Sequence, residues 1–334
     1  LFRSQYFKKF KDVPAIICAA GPSLDKNIDQ LQSLQNTALL LSGGSSLLSL
    51  NDKGVEPHFT SVLDPTEDLE IHLENHCSYE TPLFYRNRAF FQTVLSHHGP
   101  RLHIKGSGRY FVSDWFEEQF GIKDQEKLLE GISVTTFTLS IAKALGCNPI
   151  IFVGLDLAYT ENHDYASGIE NKLREKVSHI HEELIGYPDI NGNRTITNAD
   201  WIAESTWISQ FARAHPQTKF INATGGGIGF DGVPNIPFVE VIDQYLGRQY
   251  DLKSRIHIEK HQSSLKYLST ISVRNKIKSM KDSLENSLHL CERMLSEIQE
   301  KVQEIYSSLD KNEEPQSNPT IELLEELKSE ISFQ

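Results

Sequence analysis

Between Val13 and Leu246 the chain alternates short, nearly unbroken apolar runs with longer segments whose apolar residues recur every three or four positions. The runs VPAIICAA (13–20), TALLLSG (37–43), HFTSVLD (58–64), TPLFYR (81–86), RLHIKG (101–106), NPIIFVG (148–154) and TKFINAT (218–224) predict strands. Several are continuously apolar, as strands covered on both faces tend to be. The periodic segments between them predict helices over 25–35, 45–53, 66–75, 113–120, 134–145 and 199–214. This alternation predicts an α/β, Rossmann-like, mostly parallel sheet with helices on both faces. Such sheets bind ligands beyond the carboxyl ends of their strands, so the loops that follow strands are where chemistry is expected.

Residues 155–198 exceed a simple crossover, are polar and predict a helix near 169–185, which reads as a lid or acceptor-facing insertion. Beyond Tyr250 the pattern changes. Apolar residues from Ile277 to Leu309 fall three or four apart, and Ile321, Leu324, Leu327 and Ile331 do so again after the breaker NEEPQSNP. An antiparallel helical hairpin is expected there, for packing or homo-oligomerisation. The chain is therefore expected to comprise a lead-in (1–12), a Rossmann-like domain (13–250) and a C-terminal helical appendage (251–334).

Composition narrows the function. With 334 residues, 39% hydrophobic and 23% charged, the chain is ordinary for a globular protein. It lacks an apolar run long enough to cross a bilayer and the apolar core of a signal peptide, so no membrane role and a cytoplasmic location are expected. The first residue is Leu, consistent with a domain cut from a longer protein. Four scattered cysteines, with no CxxC pair, signal neither a zinc site nor a disulfide framework, and no metal is expected from them. The formal charge of −12 argues against a nucleic-acid partner. Residues 282–330 carry 13 acidic against 4 basic side chains, so the acidity belongs to the C-terminal tail and the body remains open to an anionic ligand.

Five turns are candidates for chemistry. In AAGPSLDKN, Gly21 permits a tight turn after the strand and Ser23 or Asp25 is placed to cap the next helix. The backbone amides from Gly21 through Pro22 and Ser23 to Leu24 suit a phosphate or carboxylate, although a plain capped helix reads equally well. The stretch LSGGSSLL repeats the device with Gly43 and Gly44. At VLDPT, Asp64 stands at a strand's carboxyl edge, suited to ribose hydroxyls or a metal, or to an ordinary N-cap. Ser133, Thr135 and Thr136 crowd a helix start, and the strand that follows leads into Asp156, Tyr159, His163 and Tyr165. A carboxylate, an imidazole and two phenols so close to a strand end read as a site. Last, Asn222 ends a strand before Thr224 and the triple glycine Gly225, Gly226 and Gly227, which lets backbone approach a ligand.

Taken in order, AAGPSLDKN, GCNPIIFVGLDLAYTENHDYASG and INATGGGIGFDGVP resemble the central domain of the bacterial motility-associated factor (Maf) flagellin glycosyltransferases, over roughly residues 10–245. That MptE-like group includes an archaeal 6-hydroxymethyl-7,8-dihydropterin diphosphokinase and is similar in fold to sialyltransferases that use CMP-sialic acid. The resemblance implies a transferase moving a CMP-activated nonulosonic acid to a Ser or Thr hydroxyl of flagellin or a similar surface protein, with no cofactor required. It places Gly21, Pro22, Ser23 and Leu24 on the nucleotide turn, Asp156 on a Gly-x-Asp position, and Tyr159 and Tyr165 near the phosphate. The base implied is a histidine, for which His163, His179 and His181 compete. If the pterin enzyme is the better guide, ATP and Mg²⁺ are implied, with Asp64 and Asp156 as metal ligands. A binding module without catalysis is a third reading.

Overall fold

The computed structural model describes residues 6–65, 80–106, 111–121, 128–129, 131–160, 163, 165–166, 184–262 and 269–309. The chain divides into two units, Leu1–Lys266 and Tyr267–Gln334. The first unit runs β1 (Ala15–Cys18), α1 (Leu24–Leu31), β2 (Leu39–Gly43), α2 (Ser46–Asp52), β3 (Phe59–Val62), β4 (Leu83–Tyr85), α3 (Phe91–Ser96) and β5 (Arg101–His103). It continues through α4 (Phe111–Gln119), α5 (Val134–Leu145), β6 (Ile150–Val153), β7 (Ile185–Pro188), β8 (Arg194–Thr197), α6 (Ala199–Ala214), β9 (Phe220–Asn222), α7 (Phe238–Tyr245) and α8 (Leu252–Gln262). The second unit contributes α9 (Thr270–Leu309).

All seven expected strands pair in one parallel sheet of order β5-β4-β3-β2-β1-β6-β9. The strand period of two sorts β1 onto both faces. Ala15 and Ile17 join a layer with Phe59, Phe84, Phe137 and Phe152, while Ile16 and Cys18 join another with Leu24, Ile28, Leu40 and Val153. Because both faces are covered, the strands read as continuous apolar runs. Tyr6 and Phe10, ahead of β1, are fully buried in the first layer, with Tyr6 and Phe10 edge-on to Phe59 and Phe84 stacked on it.

Local chemistry sets the best-defined helix boundaries. Ser133 and Thr136 form a reciprocal capping box at the start of α5, and Gly146 ends that helix in the left-handed region at φ 88°. Asn198 accepts a hydrogen bond from the Trp201 amide at the start of α6.

Some elements differ from the sequence expectation. The helix expected over 25–35 is α-helical only to Leu31 and tightens to a 3₁₀ turn at Gln32–Leu34. Helix α3 was not foreseen, nor was the antiparallel β7–β8 hairpin, whose strands are largely exposed and so lack an apolar alternation to reveal them. Ile185, the end of an expected helix, begins β7. Residues 66–75, most of 169–185 and the second limb of the C-terminal hairpin lie outside the described residues. Among the described residues, no helix is long and apolar enough to cross a membrane.

The aromatic cluster predicts that Phe59→Ala destabilises the first unit by about 3–5 kcal/mol, from lost burial plus the cavity left among three rings. Urea denaturation followed by intrinsic fluorescence measures it; a change within 1 kcal/mol would mean that the cluster is not a stability centre.

Candidate functional site

The site lies where the strand order reverses. From β1 the chain steps outward through β2 to β5, then returns to place β6 on the other side of β1. The loops leaving β1 and β6 therefore diverge and open a crevice at their carboxyl ends. Across it the Gly21 amide donates to the Gly154 carbonyl at 2.8 Å. Asp156 closes the junction: Oδ2 accepts from the Ser23 amide at 3.2 Å and the Ser23 hydroxyl at 2.7 Å, and Oδ1 accepts from the Thr160 hydroxyl at 2.7 Å. Burial raises the Asp156 pKa, and the hydrogen bonds from Ser23 and Thr160 oppose that rise.

Backbone is fitted closely around this carboxylate. A Cβ on Gly21 would stand 2.3 Å from Asp156 Oδ2, and one on Gly227 would stand 1.9 Å from the Asp156 carbonyl oxygen. The next residue, Leu157, is left-handed at φ 49°, an uncommon conformation for leucine. It is held there by the Thr197 hydroxyl, which donates to its carbonyl at 2.7 Å, and by the Ile228 amide, which donates to the Asp156 carbonyl at 3.0 Å.

Beyond the junction is a cleft of about 200 Å³ that brings together Gly21, Gly43, Gly44, Asp64, Ser133, Thr135, Asp156 and Tyr165. Two further side chains, Trp201 and Glu204 from α6, complete its wall. Glu204 is 8% exposed and accepts a 2.5 Å hydrogen bond from the Ser133 hydroxyl. Burial pushes its pKa up to about 7, against that hydrogen bond. Burial also raises the Asp64 pKa, opposed by the charge of Arg88. Among the described residues no Lys or Arg lines this cleft. A second cavity, of about 480 Å³, is lined by Thr160, Tyr159 and Gly225 together with Lys26, Arg194 and Asp189.

Several expected site residues take other roles. Ser23 turns its hydroxyl to Asp156 and makes no side-chain bond to its own helix. Leu24 is fully buried in the core, and Pro22 lines neither cavity. The Gly21, Ser23 and Leu24 amides donate to Gly154, Asp156 and Gly21 respectively, and proline has no N–H. The amides of this turn thus serve the fold, where a phosphate had been expected. The first-turn amides of Val134 and Thr135 have no acceptor among the described residues and border the cleft, so α5 is the helix that offers donors.

Asn222 and Thr224 brace the neighbouring loop. The Asn222 amide group donates to Asn235 at 2.8 Å, and the Thr224 hydroxyl accepts from the Leu155 amide at 3.1 Å. Asp156, which the resemblance puts on the Gly-x-Asp position as a catalytic candidate, has both carboxylate oxygens engaged in hydrogen bonds within the protein. His163 is exposed and lines neither cavity, while His179 and His181 lie outside the described residues. Glu204 belongs to none of the five candidate turns, yet it carries a signal: Trp201, Ile208 and Phe211 mark the inward face of α6, and a glutamate interrupts that stripe.

Two outcomes are expected. Gly21→Ala drives a methyl into Asp156 and Gly154, so the thermal midpoint falls; an unchanged midpoint would mean the junction yields at little cost. The raised pKa of Glu204 is a contribution to stability fully present below about 4.5 and lost as pH rises through about 7. Denaturation midpoints of Glu204→Gln across pH 4.5–8 are therefore expected to be flatter than those of the parent, by on the order of 3 kcal/mol at most. Parallel profiles would show that Glu204 titrates normally.

Residues 2–162 match the family described as 6-hydroxymethylpterin diphosphokinase MptE-like. In fold, the chain is similar to the Maf glycosyltransferase from Magnetospirillum magneticum AMB-1, with a TM-score of 0.60 and 16% identity over 78% of this chain and 41% of that one. The chain thus spans well under half the length of that protein, and at this identity the likeness is one of fold. No curated protein matches the chain in sequence. The three ordered motifs thus agree with both comparisons: residues 2–162 are MptE-like in sequence, and the chain is similar in fold to a Maf glycosyltransferase.

Proposed function

We propose that the chain is a glycosyltransferase that moves a nonulosonic acid, of sialic, pseudaminic or legionaminic type, from a CMP-activated donor to a Ser or Thr hydroxyl of flagellin or a similar surface protein, in the cytoplasm. The observation that carries this reading is Glu204, a buried carboxylate with a pKa of about 7 in a cleft at the sheet's switch point. Transfer to a hydroxyl requires a base that is substantially unprotonated near neutral pH yet able to take a proton as the new C–O bond forms. A carboxylate tuned to about 7 meets that requirement.

In this reading the acceptor oxygen attacks the anomeric carbon, its proton passes to Glu204, and the bond from that carbon to the donor phosphate breaks to release CMP. The charge growing on the phosphate faces the Val134 and Thr135 amides and the positive end of the α5 dipole. Lys26 and Arg194, in the second cavity, supply positive charge that the cleft itself lacks. Trp201 offers an aromatic face to a base or sugar ring. The mechanism needs no metal.

The MptE-like match favours a second reading, a 6-hydroxymethyl-7,8-dihydropterin diphosphokinase using ATP and Mg²⁺. Its metal would fall to Asp64 and Asp156. Asp156 suits that role poorly, because both oxygens already accept hydrogen bonds, and no group of three or more metal-ligating side chains occurs among the described residues.

Thermal shifts separate the two readings: CMP or a CMP-nonulosonic acid is expected to raise the midpoint well above any rise with ATP and Mg²⁺, and the opposite order would favour the kinase. With donor and acceptor in hand, Glu204→Gln is expected to lower kcat about 10²–10⁴-fold. Full transfer by that variant would place the base elsewhere.

A further inference from the structure

We propose that α9 is a self-association element whose apolar seam packs against the same seam of other copies of this chain, in parallel and in register. The observation is its period. From Ile277 to Leu309, stepping alternately by four and three residues, every position is apolar except Lys281. An isolated α-helix drifts about 20° per heptad from such a repeat, so a strict spacing kept over four heptads matches helices that supercoil around one another. At 40 residues α9 is about 60 Å long, and the seam occupies most of it.

Among the described residues the seam is open. Ile277, Leu284, Leu288, Leu295 and Val302 range from 40% exposed at Val302 to 63% at Leu284. The flanking residues suit a parallel partner. In register, Met280 would face Glu285 of the neighbouring helix, Ser287 would face Glu292, Met294 would face Gln299 and Lys301 would face Tyr306, so no like charges meet. Lys281 lies 3.4 Å from Glu285 of its own helix, which draws its ammonium toward the seam's edge. A single lysine at such a position penalises shifted registers.

Composition also sets the strand number. Leucine dominates the set of positions that includes Leu288 and Leu295, and isoleucine dominates the set that includes Ile277 and Ile298; this distribution favours four strands over two. Met280 and Met294 widen the stripe in the same sense.

The proposal is independent of the reaction above and is tested on the full chain. Cys18 and Cys147 are buried and Cys291 is exposed on the seam. In a Cys77→Ser background, a short bismaleimide, whose two rings each add one thiol across the C=C bond, is therefore directed to Cys291. The expected result is a covalent pair, lost on Cys291→Ser, with a native sedimentation mass near four chains. Leu288→Asp with Leu295→Asp is expected to reduce that mass to one chain while the melting transition of the first unit is unchanged. A monomeric parent overturns the proposal and leaves the seam to residues 310–334 of the same chain. An oligomer that does not cross-link at Cys291, or that survives the double substitution, overturns the parallel seam, and a two-chain mass overturns the four-stranded form.

Discussion

The whole site depends on one buried carboxylate holding two loops together. Asp156, at the end of β6, takes both the amide and the hydroxyl of Ser23, just past the end of β1, and its second oxygen takes Thr160. Without a carboxylate at this point the Ser23 groups would be buried without an acceptor, at a cost of about 1–3 kcal/mol for each unsatisfied group. The same bond explains the glycines around it: side chains at 21 and 227 would occupy the space that the Asp156 carboxylate and backbone fill. What resembles a phosphate-binding turn is, in this chain, a turn whose donors are consumed within the protein.

That constraint moves the chemistry one layer outward. With the α1 amides engaged, the donors bordering the cleft come from α5, and the titratable group comes from α6 through Glu204. The cations Lys26 and Arg194 line another cavity, together with Asp189 and Thr160. One chamber is thus lined by carboxylates of raised proton affinity, and the other by two cations together with the carboxylate of Asp189.

Much of this was legible from the chain alone. Seven continuously apolar runs became the seven strands of the parallel sheet, because strands covered on both faces leave little room for other residues. Eight of the residues singled out at strand ends and at one helix start, Gly21 and Ser133 among them, converge on a single cleft. The β7–β8 hairpin left no trace in the pattern because its side chains face mostly outward, so no apolar alternation was required of it.

The sequence by itself determined the strand-and-helix alternation, the turns that would lie along one rim of the sheet, and the heptad seam of α9, since each is written in local periodicity and backbone chemistry. Only the tertiary structure decided which side chain does what along that rim. Glu204 lies 71 residues from the serine that hydrogen-bonds to it, and Asp156 lies 133 residues from Ser23. Burial and pairing across such separations, which lift the Glu204 pKa to about 7 and tie up both Asp156 oxygens, exist only once the chain has folded.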